Sequence, residues 1–141
     1  MKHYFLDTNV VIDYLTQRAP FWPDAAELMQ AGLDGQARLY VASLSFANIY
    51  YTLRRASTAA KARAVVGEVA QLVEIFGVDA GIIRQALASS FADFEDGIQH
   101  FAAVSAPAVT AIVTRDRKDF QTSLLPVMSP AEALANLSDA T

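Results

Sequence analysis

The sequence predicts an α/β protein with a central, mainly parallel β-sheet, and three observations predict it. Short apolar runs alternate along the chain with longer segments whose apolar residues recur at helical spacing. No internal repeat, low-complexity tract or Pro/Gly-rich linker divides the 141 residues. Two apolar runs also deliver an aspartate, Asp7 and Asp116, at the point where the chain turns toward helix. In open parallel sheets ligands bind in the crevice beyond the carboxyl ends of the strands, which is where such residues would stand. The length fits one domain over residues 1–141, large enough for folding to bury about two-thirds of the unfolded surface.

The first strand is read over His3 to Leu6, followed by a helix that Thr8 can cap and that carries Val10, Val11, Tyr14 and Leu15 on its apolar side. Pro23 and Asp24 open a second helix through Met29, which stops near Gly32 and Gly35. Ala37 to Val41 is the next strand, and Ser43 caps a helix toward Arg55. Ala59 to Phe76 reads as one long helix with Val65, Val69, Leu72, Val73 and Phe76 on its buried face. A short strand at Phe76 to Val78 then precedes a helix over Gly81 to Ser89, and Asp93 begins another through Val104. Val109 to Val113 is a buried strand leading to Thr114, Arg115 and Asp116. A last strand, Leu125 to Met128, runs into Ser129-Pro130-Ala131-Glu132, a capping box with proline at the first helical position.

With no cysteine, the chain has no disulfide, thiolate zinc site or cysteine nucleophile. Its first residues lack the apolar run of a signal peptide, and no apolar stretch approaches the length of a membrane span. A soluble cytoplasmic protein without membrane association is expected. The formal charge of −4 weighs against simple electrostatic attraction to nucleic acid, unless several acids are gathered around divalent cations.

Asp93, Glu95 and Asp96 place three acids in four positions at the start of a helix, with Asp93, Asp96 and His100 on one face at i, i+3 and i+7. The helix dipole by itself favours acids there, which accounts for Asp93 and Glu95 more readily than for Asp96. Asp7 and Asp116 have an alternative role as helix caps; it is the weaker one for Asp7, because Thr8 can serve instead. Hard cations such as magnesium prefer oxygen ligands, and Asp7, Asp96 and Asp116 are the right chemical type to hold one. A metal so held activates water and stabilises a departing oxygen in phosphodiester hydrolysis. Neither His3 nor His100 has zinc-site spacing, and neither a serine-nucleophile motif nor a phosphate-cradling glycine loop is present.

The segments Phe5-Leu6-Asp7-Thr8-Asn9-Val10, Val41-Ala42-Ser43-Leu44-Ser45-Phe46-Ala47-Asn48, Asp93-Phe94-Glu95-Asp96, and Ile112-Val113-Thr114-Arg115-Asp116 with Lys118-Asp119-Phe120 occur in that order. In order and spacing they resemble the PIN domain, the nuclease fold of VapC-type toxins, over nearly the full chain. The resemblance implies a three-layer α/β/α sandwich, a magnesium or manganese site, and cleavage of single-stranded or structured RNA. On its pattern Asp7 is the first acid, Asp96 the third and Asp116 the fourth, with Asp119 a further member. At the second acid, where many family members place glutamate, this chain has Asn48, as a subgroup of the family does. Asn48 brings no charge; Asp93, one turn before Asp96, is expected to make up the deficit, and Glu95 is an accessory acid. The resemblance also implies a toxin with a cognate antitoxin protein, and a homodimer.

RNA needs cations and stacking surfaces. Arg115, Arg117 and Lys118 beside Asp116 are the best placed, and Arg18 in the loop after the first helix could reach phosphate. Arg54 and Arg55 are further candidates, while Lys61 and Arg63 read as solvated surface. Thr8 and Thr114 could hydrogen-bond the carboxylates or a phosphate. Tyr50, Tyr51, Phe21 and Trp22 read as core or interface before base platforms, and the small-residue-rich helix around Ala59 to Ala70 could pack on a second subunit. Two other functions are open. In a phosphatase forming an aspartyl-phosphate, Asp7 would be the nucleophile, but that chemistry wants an aspartate where this chain has Asn9. In a catalytically weak PIN-like domain that binds RNA or a partner, Asn48 would mark the loss of activity.

Overall fold

Five short apolar runs satisfy their backbone hydrogen bonds in one parallel sheet. The computed structural model describes residues 1–137. Its elements are β1 (Lys2–Leu6), α1 (Thr8–Thr16), α2 (Trp22–Leu33), β2 (Ala37–Ala42), α3 (Ser43–Ala56), α4 (Ala59–Leu72) and β3 (Glu74–Phe76). These are followed by α5 (Ala80–Ala88), α6 (Phe94–Ser105), β4 (Ala111–Val113), a 3-10 turn (Arg117–Phe120), β5 (Val127–Met128) and α7 (Pro130–Leu137). The strand order is β3-β2-β1-β4-β5, with every pair parallel. From β1 the chain builds outward through β2 and β3, then crosses back to add β4 and β5 on the other side. The reversal falls between β1 and β4, where an open parallel sheet leaves its crevice.

Alternation along the strands supplies both faces. Tyr4 and Leu6 of β1 join Leu39, Val41, Ala111 and Val113 in a core covered by α1, α2, α3, α4 and α7. Phe5, between them, points the other way with Ala42 and Ile112, into a core covered by α5, α6 and Phe120. The result is the three-layer α/β/α sandwich, and β1 and β4 are buried on both sides.

Several boundaries differ from the sequence reading. Asp7, with φ −61° and ψ 146°, occupies the cap position of α1, so Thr8 is its first helical residue and is free to bond elsewhere. Ser43 likewise starts α3, and its Oγ accepts from the Val78 N–H at 3.0 Å. Helix α4 stops at Leu72, and Glu74–Phe76 pairs instead with Tyr40–Ala42. The open edge of β2 offers backbone partners there, and satisfying them outweighs helical periodicity. Helix α2 continues through Gly32 to Leu33, and glycine there lets the helix approach β2, since a Cβ at that position would lie 2.6 Å from Leu39 Cδ1. Gly35, at φ +77°, then makes the turn into β2. The last two strands begin at Ala111 and Val127, later than the apolar runs that contain them.

The capping box of α7 forms with both of its bonds: Glu132 N–H to Ser129 Oγ at 3.1 Å, and Ser129 N–H to Glu132 Oε1 at 3.0 Å. Replacing Ser129 with alanine should therefore lower the unfolding free energy by about 1 kcal/mol in urea denaturation. A change smaller than about 0.3 kcal/mol would mean that water satisfies this helix end equally well.

Candidate active site

Leu6 and Val113 are register partners on β1 and β4, so Asp7 and Thr114 leave the sheet side by side. The Asp7 N–H extends the ladder by donating to the Val113 carbonyl at 2.9 Å. Thr114 is wholly buried; its hydroxyl donates to Asp7 Oδ2 at 2.7 Å and accepts the Asp116 N–H at 3.1 Å. One side chain thus ties the first acid to the backbone of the last. Although Asp7 stands in the cap position of α1, its carboxylate makes no aligned capping bond. Burial raises its pKa and outweighs the lowering by Thr114, by Gln99 and by the nearby N–H groups of Asn9 and Thr8.

The first turn of α6 meets this edge. Asp93 caps the helix, its Oδ1 accepting the Asp96 N–H at 2.9 Å. Asp96 is pushed up to about 7, first by burial and then by the charges of Asp7, Asp93, Asp119 and Glu95. The structure therefore brings Asp96 among acids from β1, from its own turn, and from the 3-10 turn after β4. Farther along α6, Gln99 Oε1 accepts the Thr8 N–H at 2.9 Å and lies 3.2 Å from Thr8 Oγ1, which leaves its amide N–H group to Asp7. Thr8 Oγ1 also shares a hydrogen bond with Ser45 Oγ at 2.6 Å. Thr8 is therefore an interior contact between α1, α3 and α6, buried from any phosphate. Asn48 donates through Nδ2 to Glu95 Oε1 at 2.8 Å.

Asp116, on the turn after β4, does not cap the 3-10 turn that follows it. It lies 4.0 Å from an Arg115 nitrogen, and its charge acts on Asp13. Arg115, expected at the RNA, faces inward instead. Its Nε donates to buried Asp13 Oδ2 at 2.8 Å, and its guanidinium sits 4.7 Å from the centroid of the Phe21 ring. Burial raises the Asp13 pKa against the pull of Arg115 and then of the Arg18 charge. Among the described residues Asp13 Oδ1 has no hydrogen-bond partner. Arg117 is paired with Glu132 at 2.9 Å. Lys118 makes no ion pair among the described residues; with Asp93, Asp96 and Asp119 it lines a cavity of about 230 Å³. A larger recess of about 760 Å³, near Met1, Gln30 and Leu137, lies at the opposite edge of the sheet.

Asp13, Gln99 and Ser45 are the residues that sequence reasoning missed. Asp13 had a signal, an acid in a helix turn crowded with Val10, Val11 and Tyr14. Gln99 had a weaker one, its i+3 and i+4 spacing from Asp96 and Glu95. His100 is a structural residue: its Nε2 accepts the Leu124 N–H at 3.0 Å, Nδ1 has no hydrogen-bond partner among the described residues, and burial holds its pKa down.

The donor set at the edge suits a hard divalent cation. It offers oxygen only, and among the described residues none of Asp7, Asp93, Glu95, Asp96 or Asp119 is paired with a lysine or arginine. Among the same residues no three His, Cys, Asp or Glu side chains already form a metal cage. An ion held here would complete its shell with water or substrate oxygens, as magnesium usually does.

Residues 3–118 match the family model described as PIN domain. No curated protein matches the chain in sequence. Among solved structures, VapBC-1 from nontypeable Haemophilus influenzae is similar at a TM-score of 0.69 and 17% identity, covering 92% of this chain and 98% of that one. DNA-bound VapBC from Salmonella typhimurium gives 0.68 and 14%, over 92% and 99%. VapC20 from Mycobacterium tuberculosis, described as a sarcin–ricin loop cleaving toxin, gives 0.60 and 14%, over 77% and 86%. At these identities the likeness is one of fold.

Two outcomes follow from the electrostatics. Asp96 carries a raised pKa of about 7 against an ordinary 3.8, so the folded chain favours its protonated form. That contribution to stability is complete below the ordinary value and is lost as pH rises through about 7. Without divalent metal, the melting temperature should rise from about pH 8 to about pH 5.5, and the rise should shrink in Asp96→Asn. A profile identical in the two proteins would show that Asp96 is not crowded by acids. Separately, Arg115→Met strands a buried carboxylate and should cost about 3 kcal/mol of stability in urea denaturation, which Asp13→Asn in the same chain should partly restore.

Proposed function

The chain belongs to the PIN-domain family, and we propose that within it this protein is a divalent-metal-dependent endoribonuclease, the toxin of a toxin–antitoxin pair. The observation that carries this reading is the set of unneutralised carboxylates where the sheet reverses: Asp7 held by neutral donors alone, and Asp96 crowded by four other acids. Grouping like charges without a cation is unfavourable, and a bound divalent ion removes the cost.

In this reading Asp7 and Asp96 hold magnesium or manganese, with Asp116 and Asp119 supplying oxygens from the turn after β4. Such an ion, when bound, lowers the pKa of water and stabilises the departing oxygen of an RNA phosphodiester. The rest is done by the chain. Thr114 and Gln99 fix the orientation of Asp7 by donating to it. Asp96, its pKa pushed up to about 7 by burial and the neighbouring acids, would hold the ion as its carboxylate. Lys118, at the rim of the acidic cavity, faces the phosphate chain. Arg115 acts through Asp13 and Asp116 to hold the turn and does not meet RNA itself.

The phosphatase alternative finds no support at residue 9, where the Asn9 amide lies 3.5 Å from Thr114 Oγ1 and no acid is present. The VapBC structures of the same fold support an antitoxin partner, and a homodimer is part of the proposal. No described helix is long and apolar enough to cross a membrane; residence in the cytoplasm is part of the proposal.

The purified protein, incubated with mixed RNAs and manganese, should cleave them. EDTA should abolish cleavage, and Asp7→Asn should reduce it by roughly 100-fold or more, beyond the effect expected of a supporting residue. RNA binding without cleavage under every condition would replace this reading with that of a binding protein. Turnover of p-nitrophenyl phosphate without attack on RNA would replace it with a phosphatase.

A further inference from the structure

We infer that Glu95 supplies the negative charge missing at the second-acid position, with Asn48 as the residue that holds it in place, so that this carboxylate has moved from α3 to α6. The inference rests on the metal-site reading above and deepens it. Asn48 occupies the place where the family pattern has glutamate, yet the structure does not leave that place without a carboxylate. Asn48 Nδ2 donates to Glu95 Oε1 at 2.8 Å, and Thr8 Oγ1 lies 3.4 Å from the same oxygen. Thr8 is itself fixed between Ser45 and Gln99, one residue from Asp7. Glu95 is therefore anchored to the acidic edge through one oxygen, while its Oε2 accepts no hydrogen bond among the described residues.

The residue type at position 48 follows from this geometry. A glutamate there would set a second carboxylate against Glu95, and two adjacent carboxylates repel unless something positive separates them. Asparagine offers a donor in the same place and no charge. Glutamate on α3 and glutamate on α6 are thus alternatives, and this chain has the second. Asp93, which spacing alone had favoured for the role, is exposed and has its Oδ1 engaged as the helix cap.

The test is manganese binding to the full chain, followed by electron paramagnetic resonance, with the melting temperature confirming that each variant folds. Glu95→Gln should weaken binding about 10- to 100-fold. Asn48→Glu combined with Glu95→Gln leaves the net charge of the natural chain unchanged and should return affinity to within about threefold, whereas Asp93→Asn alone should change it by less than about threefold. Asn48→Ala, which frees Glu95 without removing it, should give an intermediate loss. Binding by Glu95→Gln equal to that of the natural chain would overturn the inference, as would a large loss with no rescue by Asn48→Glu. Asp7→Asn separates the two levels: manganese binding undiminished in that variant would sink the metal-site reading itself, while its loss there beside normal binding by Glu95→Gln would sink only the present inference.

Discussion

Thr114 gives its only hydroxyl proton to Asp7, and the geometry of the whole acidic edge follows from where that bond can form. It requires two parallel strands, distant in sequence, to end level with each other, which the Leu6–Val113 register ensures. It requires both strands to be buried on two faces, so that nothing competes for the bond. Because the same hydroxyl accepts the Asp116 N–H, the turn after β4 inherits its position from the first strand. Helix α6 is then brought to this edge through Gln99, which bonds both Thr8 and Asp7.

The chain treats its buried acids in two opposite ways. Asp13 is given an arginine, and the pair is an internal support whose charge is largely settled within the protein. Asp7 is given a hydroxyl, an amide and backbone N–H groups, which orient it without neutralising it. Neutral donors fix geometry at modest net energy, whereas a guanidinium would remove the negative potential altogether. The exclusion of arginine from Asp7 and its presence at Asp13, only six residues away, separate scaffold from chemistry more clearly than burial does.

The alternation of strand and helix, the two aspartates at strand ends and the capping box before α7 were legible in the sequence because each is set by local pattern. Strand β3 was legible only with its bounds shifted to Phe76–Val78, because Glu74 to Phe76 continues a helical periodicity and becomes a strand only against the free edge of β2. The acids of α6 were legible as a group but not in their separate roles: Asp93 is the cap, while Glu95 reaches Asn48 on another helix. Arg115 read as a nucleic-acid contact because its sequence neighbour is Asp116; its true partner lies 102 positions earlier. Pairings between distant side chains depend on which faces the fold brings together, and residue types alone do not encode that.

The guanidinium that rests on the Phe21 ring, bonds Asp13 and approaches Asp116 joins three stretches of chain at one planar group. The linker between the first two helices and the acidic turn are thereby mechanically one piece. Phe21 keeps part of its surface open to solvent, so whatever presses on that ring from outside also bears on the geometry around Asp116.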